Sequence, residues 1–472
     1  MTSLLRGRDV TVKLNNTTLV ETISVDLQAG RAVTLLGESG SGKSLFAQAL
    51  LGTLPGVLRA EGELDLHGDT HDLSKPGSLQ ANWGRHLAVL PQEPWLALNP
   101  LKRAGEQVAE VYRLVCSVDN PRAKAEADLS SIGLGGCGRS WPWQLSGGMA
   151  QRLAFMASRA GGARVVVADE PTKGLDAARR DDVLRLLQRG LGEGGSVLTI
   201  THDLALARGL GGEVLVMREG RVVERGPAEQ VLNAPTETFT RKLIGADPSA
   251  WPPRQAAAVD FIPVVEAKGI GLSRGGNTLL SDFHLQIHRG DVLGIRGPSG
   301  CGKSSLGNVL LGQLKPQAGR VWRNPGYDNL HYQKLWQDPP AAFPRHVTLG
   351  QGLRDLIKRH WLDAREVPRL LTRLGLSEAL LERKPGEVSG GELQRISLLR
   401  VLLLRPVFVF ADEPTSRLDP LTQQETMTLL LDFARERQIG LLLVSHDDAL
   451  LQACCDRVIS LEAQHQAETL SA

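Results

Sequence analysis

One eight-residue pattern, G-x-x-x-x-G-K-[ST], occurs twice in this 472-residue chain. The first copy is Gly37, Glu38, Ser39, Gly40, Ser41, Gly42, Lys43 and Ser44; the second is Gly297, Pro298, Ser299, Gly300, Cys301, Gly302, Lys303 and Ser304. The glycines demand a sharp turn between a strand and a helix. That turn points successive backbone N–H groups inward at the positive end of the helix, where a polyphosphate binds. A short apolar run (32–36) leads into the first copy, and helix-forming residues (45–51) follow it. In this setting Lys43 and Lys303 neutralise the terminal phosphates, and Ser44 and Ser304 are expected to ligate Mg²⁺.

Further motifs follow each loop in the same order. Asp169 with Glu170, and Asp412 with Glu413, end the apolar runs 165–168 and 407–411 and precede Pro-Thr. Such runs, with 197–201 and 441–445, are expected to be central parallel strands covered on both faces. The aspartate at the strand end can reach a Mg²⁺ shell, and the glutamate beside it is placed to polarise an attacking water. A solvated acidic turn is the lesser reading of one such pair alone, and repetition at a matched distance from Ser-Gly-Gly makes it remote.

Ser146, Gly147 and Gly148 before Met149, and Ser389, Gly390 and Gly391 before Glu392, read as helix starts. The serine caps, and the glycines leave backbone N–H groups open to a γ-phosphate. A lone Ser-Gly-Gly is usually just a turn; its repetition at a matched distance before each acidic pair makes it specific. His202 in Thr-His-Asp and His446 in Ser-His-Asp are placed to bond the γ-phosphate and hold the water. Gln92 and Gln337 are placed to reach Mg²⁺ and water from a loop.

The repeat sets the domain plan. From the signature serine onward the two halves keep register almost residue for residue, while the second half is shorter between its phosphate loop and Gln337. Residues missing there are expected to be surface loops or short strands. The expected organisation is a first domain at 1–240, a proline-rich linker at 241–263, a second domain at 264–463 and a polar tail at 464–472.

A formal net charge of +2 supplies no sequence-wide basic field, so no nucleic-acid partner is expected. No apolar run approaches the roughly 18–20 residues that span a bilayer. The five cysteines lack paired metal spacing and read as reduced thiols.

Together these residues resemble the ATP-binding cassette (ABC) ATPase family: Walker A, Q-loop, signature, Walker B, D-loop (Leu175, Asp176; Leu418, Asp419) and H-loop. The resemblance implies an α/β fold of two P-loop NTPase cassettes. Each would have a RecA-like parallel-sheet core, an antiparallel β subdomain and a helical subdomain (95–146 and 339–388). It also implies ATP and Mg²⁺ as cofactors and an internal pseudo-dimer of the two cassettes. ATP on Lys43 would be capped by Ser389, Gly390 and Gly391, and ATP on Lys303 by Ser146, Gly147 and Gly148. Two features depart from the common pattern. The stretches 10–20 and 268–280 carry no aromatic residue to stack an adenine, and Met149 and Glu392 replace the usual glutamine after the signature glycines.

A narrower likeness lies in 51–55, in Gln92, Glu93 and Pro94 with Asn99 and Pro100, and in 234–243. These resemble the oligopeptide, dipeptide and nickel importer ATPases, a D-type half followed by an F-type half. That likeness implies a motor on the cytoplasmic face of a bacterial inner membrane. Its partners would be two integral-membrane permease subunits and, through them, an extracytoplasmic substrate-binding protein; its cargo would be peptide, nickel or a metallophore. The alternatives are a soluble tandem ATPase acting on ribosomes or nucleic acid, or a subunit of a metabolic complex. Trp141 and Trp143 are expected to pack inside the first helical subdomain, and Cys454 with Cys455 to pack a helix.

Overall fold

The computed structural model describes residues 2–75, 77–91, 97–173, 175, 177–254, 260–298 and 300–461. The chain divides into two compact units, Met1–Ile244 and Gly245–Ala472.

Unit 1 runs β1 (Ser3–Leu14), β2 (Thr17–Gln28), β3 (Ala32–Gly37), α1 (Lys43–Leu51), β4 (Leu58–Leu66), β5 (Asp69–Asp72) and β6 (Leu87–Leu90). It continues through α2 (Ala104–Val111), α3 (Pro121–Ser131), α4 (Gly147–Arg159), β7 (Val165–Asp169), α5 (Ala177–Gly192) and β8 (Ser196–Ile200). The unit ends with α6 (Leu204–Leu210), β9 (Glu213–Arg218), β10 (Arg221–Pro227), α7 (Ala228–Asn233) and α8 (Thr238–Gly245).

The core sheet has the order β10-β9-β3-β8-β7-β6, parallel except for the antiparallel edge strand β10. Strands β3, β7 and β8 are apolar almost throughout because helices or a second sheet cover both faces. The antiparallel sheet β2-β1-β4-β5 stacks its alternating Val and Leu residues on α1, with Phe46 and Leu50 at the centre. On the opposite face α5 and α6 pack Val183, Leu187 and Leu206. A separate apolar cluster, including Val108, Leu129 and Leu153, binds α2 and α3 to α4.

Unit 2 repeats this plan. It contains β11 (Asp260–Arg274), β12 (Asn277–Arg289), β13 (Val292–Arg296), α9 (Lys303–Leu310), β14 (Ala318–Arg323) and β15 (Tyr332–Leu335). Next come α10 (Leu349–His360), α11 (Glu366–Arg373), α12 (Gly390–Leu403), β16 (Phe408–Asp412), α13 (Pro420–Glu436), β17 (Gly440–Val444), α14 (Asp448–Cys454) and β18 (Arg457–Ser460). The core is fully parallel, β15-β16-β17-β13-β18, beside a three-stranded sheet β12-β11-β14. Gly275 and Gly276, both at positive φ, make the two-residue turn of the β11–β12 hairpin.

The α/β class and the three-part build of each half agree with expectation. The length difference has a physical location: unit 1 carries β5 on its antiparallel sheet, whereas the matching sheet of unit 2 stops at β14. The stretch expected as a linker is partly helical. Between Pro235 and Pro248 no proline interrupts, so α8 forms and buries Phe239 and Leu243.

Candidate functional site

In both units the strand before the phosphate loop lies mid-sheet, and the loop opens a helix. The residues that cap those helices, Gly42 and Gly302, sit at φ 97° and 104°, where a side chain would strain the backbone. Gly37 is fixed by close approach instead: a Cβ there would lie 2.2 Å from the carbonyl oxygen of Met217. The buried Lys43 folds back over its loop and donates to the carbonyls of Gly37 (2.9 Å) and Glu38 (2.7 Å) and to Ser41 Oγ (3.2 Å). Lys303 does the same with Gly297 (2.7 Å) and Pro298 (3.0 Å). Each ammonium is thus held by its own loop, at the position where the motif is expected to meet phosphate. Ser39, Gly40, Gly300 and Cys301 complete the loops, Cys301 being buried; Ser299 lies outside the described residues.

The parallel register carries each acidic pair to the end of the strand near the loop. Ser44 Oγ donates to Asp169 Oδ1 at 3.3 Å, and Ser304 Oγ to Asp412 Oδ1 at 3.1 Å. A hydroxyl beside a carboxylate is an all-oxygen donor set. It suits Mg²⁺, which takes one or two protein ligands and completes its shell with phosphate and water. No cluster of three or more His, Cys, Asp or Glu exists among the described residues, so no all-protein metal cage competes with that reading.

Glu170 and Glu413 leave their strands in left-handed backbone, φ 49° and 47°, anchored by N–H bonds to the carbonyls of Ile200 (2.7 Å) and Val444 (3.0 Å). That turn brings Glu170 Oε2 within 2.6 Å of His202 Nδ1, and Glu413 Oε1 within 2.9 Å of His446 Nε2. Burial raises the Asp169 carboxyl, and neighbouring Glu170 adds to this, only partly offset by Ser44, Lys43 and Lys173. Burial also pushes Glu170 up, but the hydrogen bond and charge of His202, with Lys173 and Lys43, more than offset it, leaving Glu170 below the usual range. Two adjacent carboxyls are thereby driven apart, and the one beside the histidine is kept ionised, as a proton acceptor must be.

Gln337, expected on the metal and water, donates to Glu413 Oε2 at 2.7 Å. Gln92 falls outside the described residues, as does Asp176. Ser146 and Ser389 do cap helices: their Oγ atoms accept from Met149 N and Glu392 N, each at 3.3 Å. The second cap is a closed box, because Glu392 Oε2 also accepts from Ser389 N and from Ser389 Oγ at 2.8 Å. Met149 offers the first cap no such return bond.

One reading of a side chain needs correction, and one residue was missed. Trp141 and Trp143 stack on each other at 5.1 Å, and Trp143 remains 64% exposed. Trp141 is half-buried with Arg103 over its ring, as expected of a packed residue, and Trp143 is the ring left uncovered. The sequence also gave no sign of Lys334, which is buried and 3.3 Å from Asp412 Oδ2. β15 is an edge strand, where a lysine is ordinarily solvated, but the fold buries this one beside the acidic strand end.

A family model described as "ABC transporter" matches residues 20–173 and 280–416. The chain is 31% identical to the uncharacterized ABC transporter ATP-binding protein YejF of Escherichia coli (strain K12), over 94% of this chain and 90% of that protein. It is 31% identical to the peptidoglycan transport ATP-binding protein YejF of Agrobacterium fabrum, covering 97% and 90%. It is 32% identical to the glutathione import ATP-binding protein GsiA of Salmonella typhi, covering 93% and 81%. Among solved structures, RNase-L Inhibitor superposes with a TM-score of 0.65 over 97% of this chain and 88% of that one; at 22% identity this shows the shared fold alone. With two phosphate loops, two acidic pairs and two histidines in matching geometry, the chain belongs to the ABC transporter family, as an ATPase coupled to transport with both cassettes in one polypeptide.

Proposed function

We propose that this chain is the ATP-hydrolysing motor of a bacterial importer for peptides or related solutes. It would work on the cytoplasmic face of the inner membrane beneath two separate permease subunits supplied by an extracytoplasmic binding protein. The observation that carries the reading is that each unit holds a lysine bonded to its own loop, a serine bonded to its aspartate and a glutamate paired with its histidine. The matching contacts in both units support two working sites rather than one. The names of the relatives, which speak of glutathione import and peptidoglycan transport, support a peptide-like cargo over nickel.

Within each site, Ser44 with Asp169 and Ser304 with Asp412 would hold Mg²⁺, which when bound screens the phosphate charge. The loops 37–44 and 297–304 grip the triphosphate. Glu170 and Glu413 take a proton from the attacking water, while His202 and His446 keep those carboxylates aimed. Gln337, and by its place in the motif Gln92, link that water to the helical subdomains. The capped starts of α4 and α12, at Ser146, Gly147 and Gly148 and at Ser389, Gly390 and Gly391, would offer N–H groups to a γ-phosphate. Contacts made only while the γ-phosphate is present turn binding and hydrolysis into closing and opening.

Docking on permeases is supported by apolar side chains left in water on the helical segments: Leu101 (81% exposed), Leu114 (70%) and Trp143 in unit 1, and Trp361 (93%) in unit 2. Isolated exposed apolar residues are ordinary, but four of the five most exposed large apolar side chains among the described residues lie on these segments, which suits a partner surface. The test is affinity purification from membranes and from lysate. Two permeases should co-purify, and a peptide-loaded binding protein should raise the ATPase rate of the reconstituted complex. Recovery with ribosomes and no permease would overturn the proposal.

A further inference from the structure

A buried cation distinguishes the second nucleotide site from the first. Lys334 lies within β15, opposite Phe410 of β16, with 8% of its side chain exposed. Its ammonium is 3.3 Å from Asp412 Oδ2 and donates to Asn308 Oδ1 at 3.2 Å. The rings of Trp336 and Phe410 lie 4.7 Å and 5.1 Å from it. These contacts hold the charge in place. In unit 1 the same ladder position, opposite Val167, is occupied by Val89, and Gln48 stands where α9 carries Asn308. Both units place a serine hydroxyl on Oδ1 of the aspartate; a lysine on Oδ2 belongs to unit 2.

We propose that Lys334 is a positioning residue that clamps Asp412 and makes the second site hold its divalent cation more weakly than the first. It rests on the reading that Ser304 and Asp412 face Mg²⁺. The clamp fixes one carboxylate oxygen and leaves Oδ1 towards Ser304. A fixed ammonium against the carboxylate also cancels much of the charge that draws a cation in, and repels the cation directly. Both effects grow where burial lowers the dielectric. Asp412 therefore contributes less to metal capture than Asp169 does, and the second site depends more on the charge of the nucleotide itself. The two sites then differ in their metal requirement although their motif residues match.

The experiment uses Mn²⁺ with ADP, read by the loss of the free Mn²⁺ signal in electron paramagnetic resonance. Lys303→Ala leaves the first site to report, and Lys43→Ala leaves the second. The second site should bind Mn²⁺ about tenfold more weakly. Lys334→Met in the Lys43→Ala chain, which keeps an unbranched side chain between the two rings, should recover most of that difference, whereas Lys334→Arg should not. Equal Mn²⁺ affinities in the two single-site proteins would overturn the proposal, and this comparison needs no change at Lys334 and so survives a misfolded variant. An unaltered affinity in folded Lys334→Met would overturn it as well. Absence of ADP-dependent Mn²⁺ binding at both sites would remove the metal assignment, and the role of Lys334 with it.

Discussion

Left-handed backbone at Glu170 and Glu413 carries a local cost at each site, since an L-residue loses about 1–2 kcal/mol there. The neighbouring strands hold it through the bonds to Ile200 and Val444, and the return is a carboxylate pointed at a histidine rather than along the strand. In the proposed mechanism the chemistry rests on the carboxylate and its aim. Changing both residues to glutamine preserves shape and removes the proton acceptor. Glu170→Gln with Glu413→Gln should lower ATP turnover by about 10²–10⁴-fold while nucleotide binding, followed by a fluorescent analogue, persists. Near-normal turnover would remove both glutamates from the chemistry. The motif made these residues legible, because an acidic pair after an apolar run recurs with matched surroundings. Their backbone conformation was not legible, since nothing in a glutamate favours positive φ. Nor was the Lys334 contact, which depends on which strand β15 pairs with.

Individual elements show where pattern suffices and where packing decides. Strands such as β7, β8, β16 and β17 announce themselves by unbroken apolar runs, and α4 and α12 by their serine caps. Helix α8 hid inside a stretch whose prolines bracket it rather than break it. Trp143, unlike Trp141, was misjudged because apolar content does not say which face a ring turns to water. Helix α9 carries a packing constraint that sequence alone would not flag. A Cβ on Gly307 would fall 2.1 Å from Phe410 Cε1, inside a ring already fully buried. Gly307→Ala must push α9 off β16 and should cost about 1–3 kcal/mol, seen as a lower midpoint in chemical denaturation. At an exposed helix position the same change would help, so an unchanged or higher midpoint would show that the helix is free to shift.

For the whole molecule, duplication did most to make the sequence readable. A Ser-Gly-Gly or a strand-end acidic pair is ambiguous once and informative when it recurs in order, and the units reproduce that order in three dimensions. If the closed state needs both nucleotides, the sites cannot work independently. Lys43→Ala, which disables one loop, should then reduce total ATPase activity of the transport complex to well under half; a remainder of about half would indicate two separate sites.

The five cysteines are also unevenly accessible. Cys301, Cys454 and Cys455 are buried, and burial pushes the Cys454 thiol up to about 12, whereas Cys116 is exposed and Cys137 partly so. Maleimide dyes should therefore mark the first helical subdomain of the native chain and spare the second unit, giving spectroscopists a one-sided optical tag without any engineering.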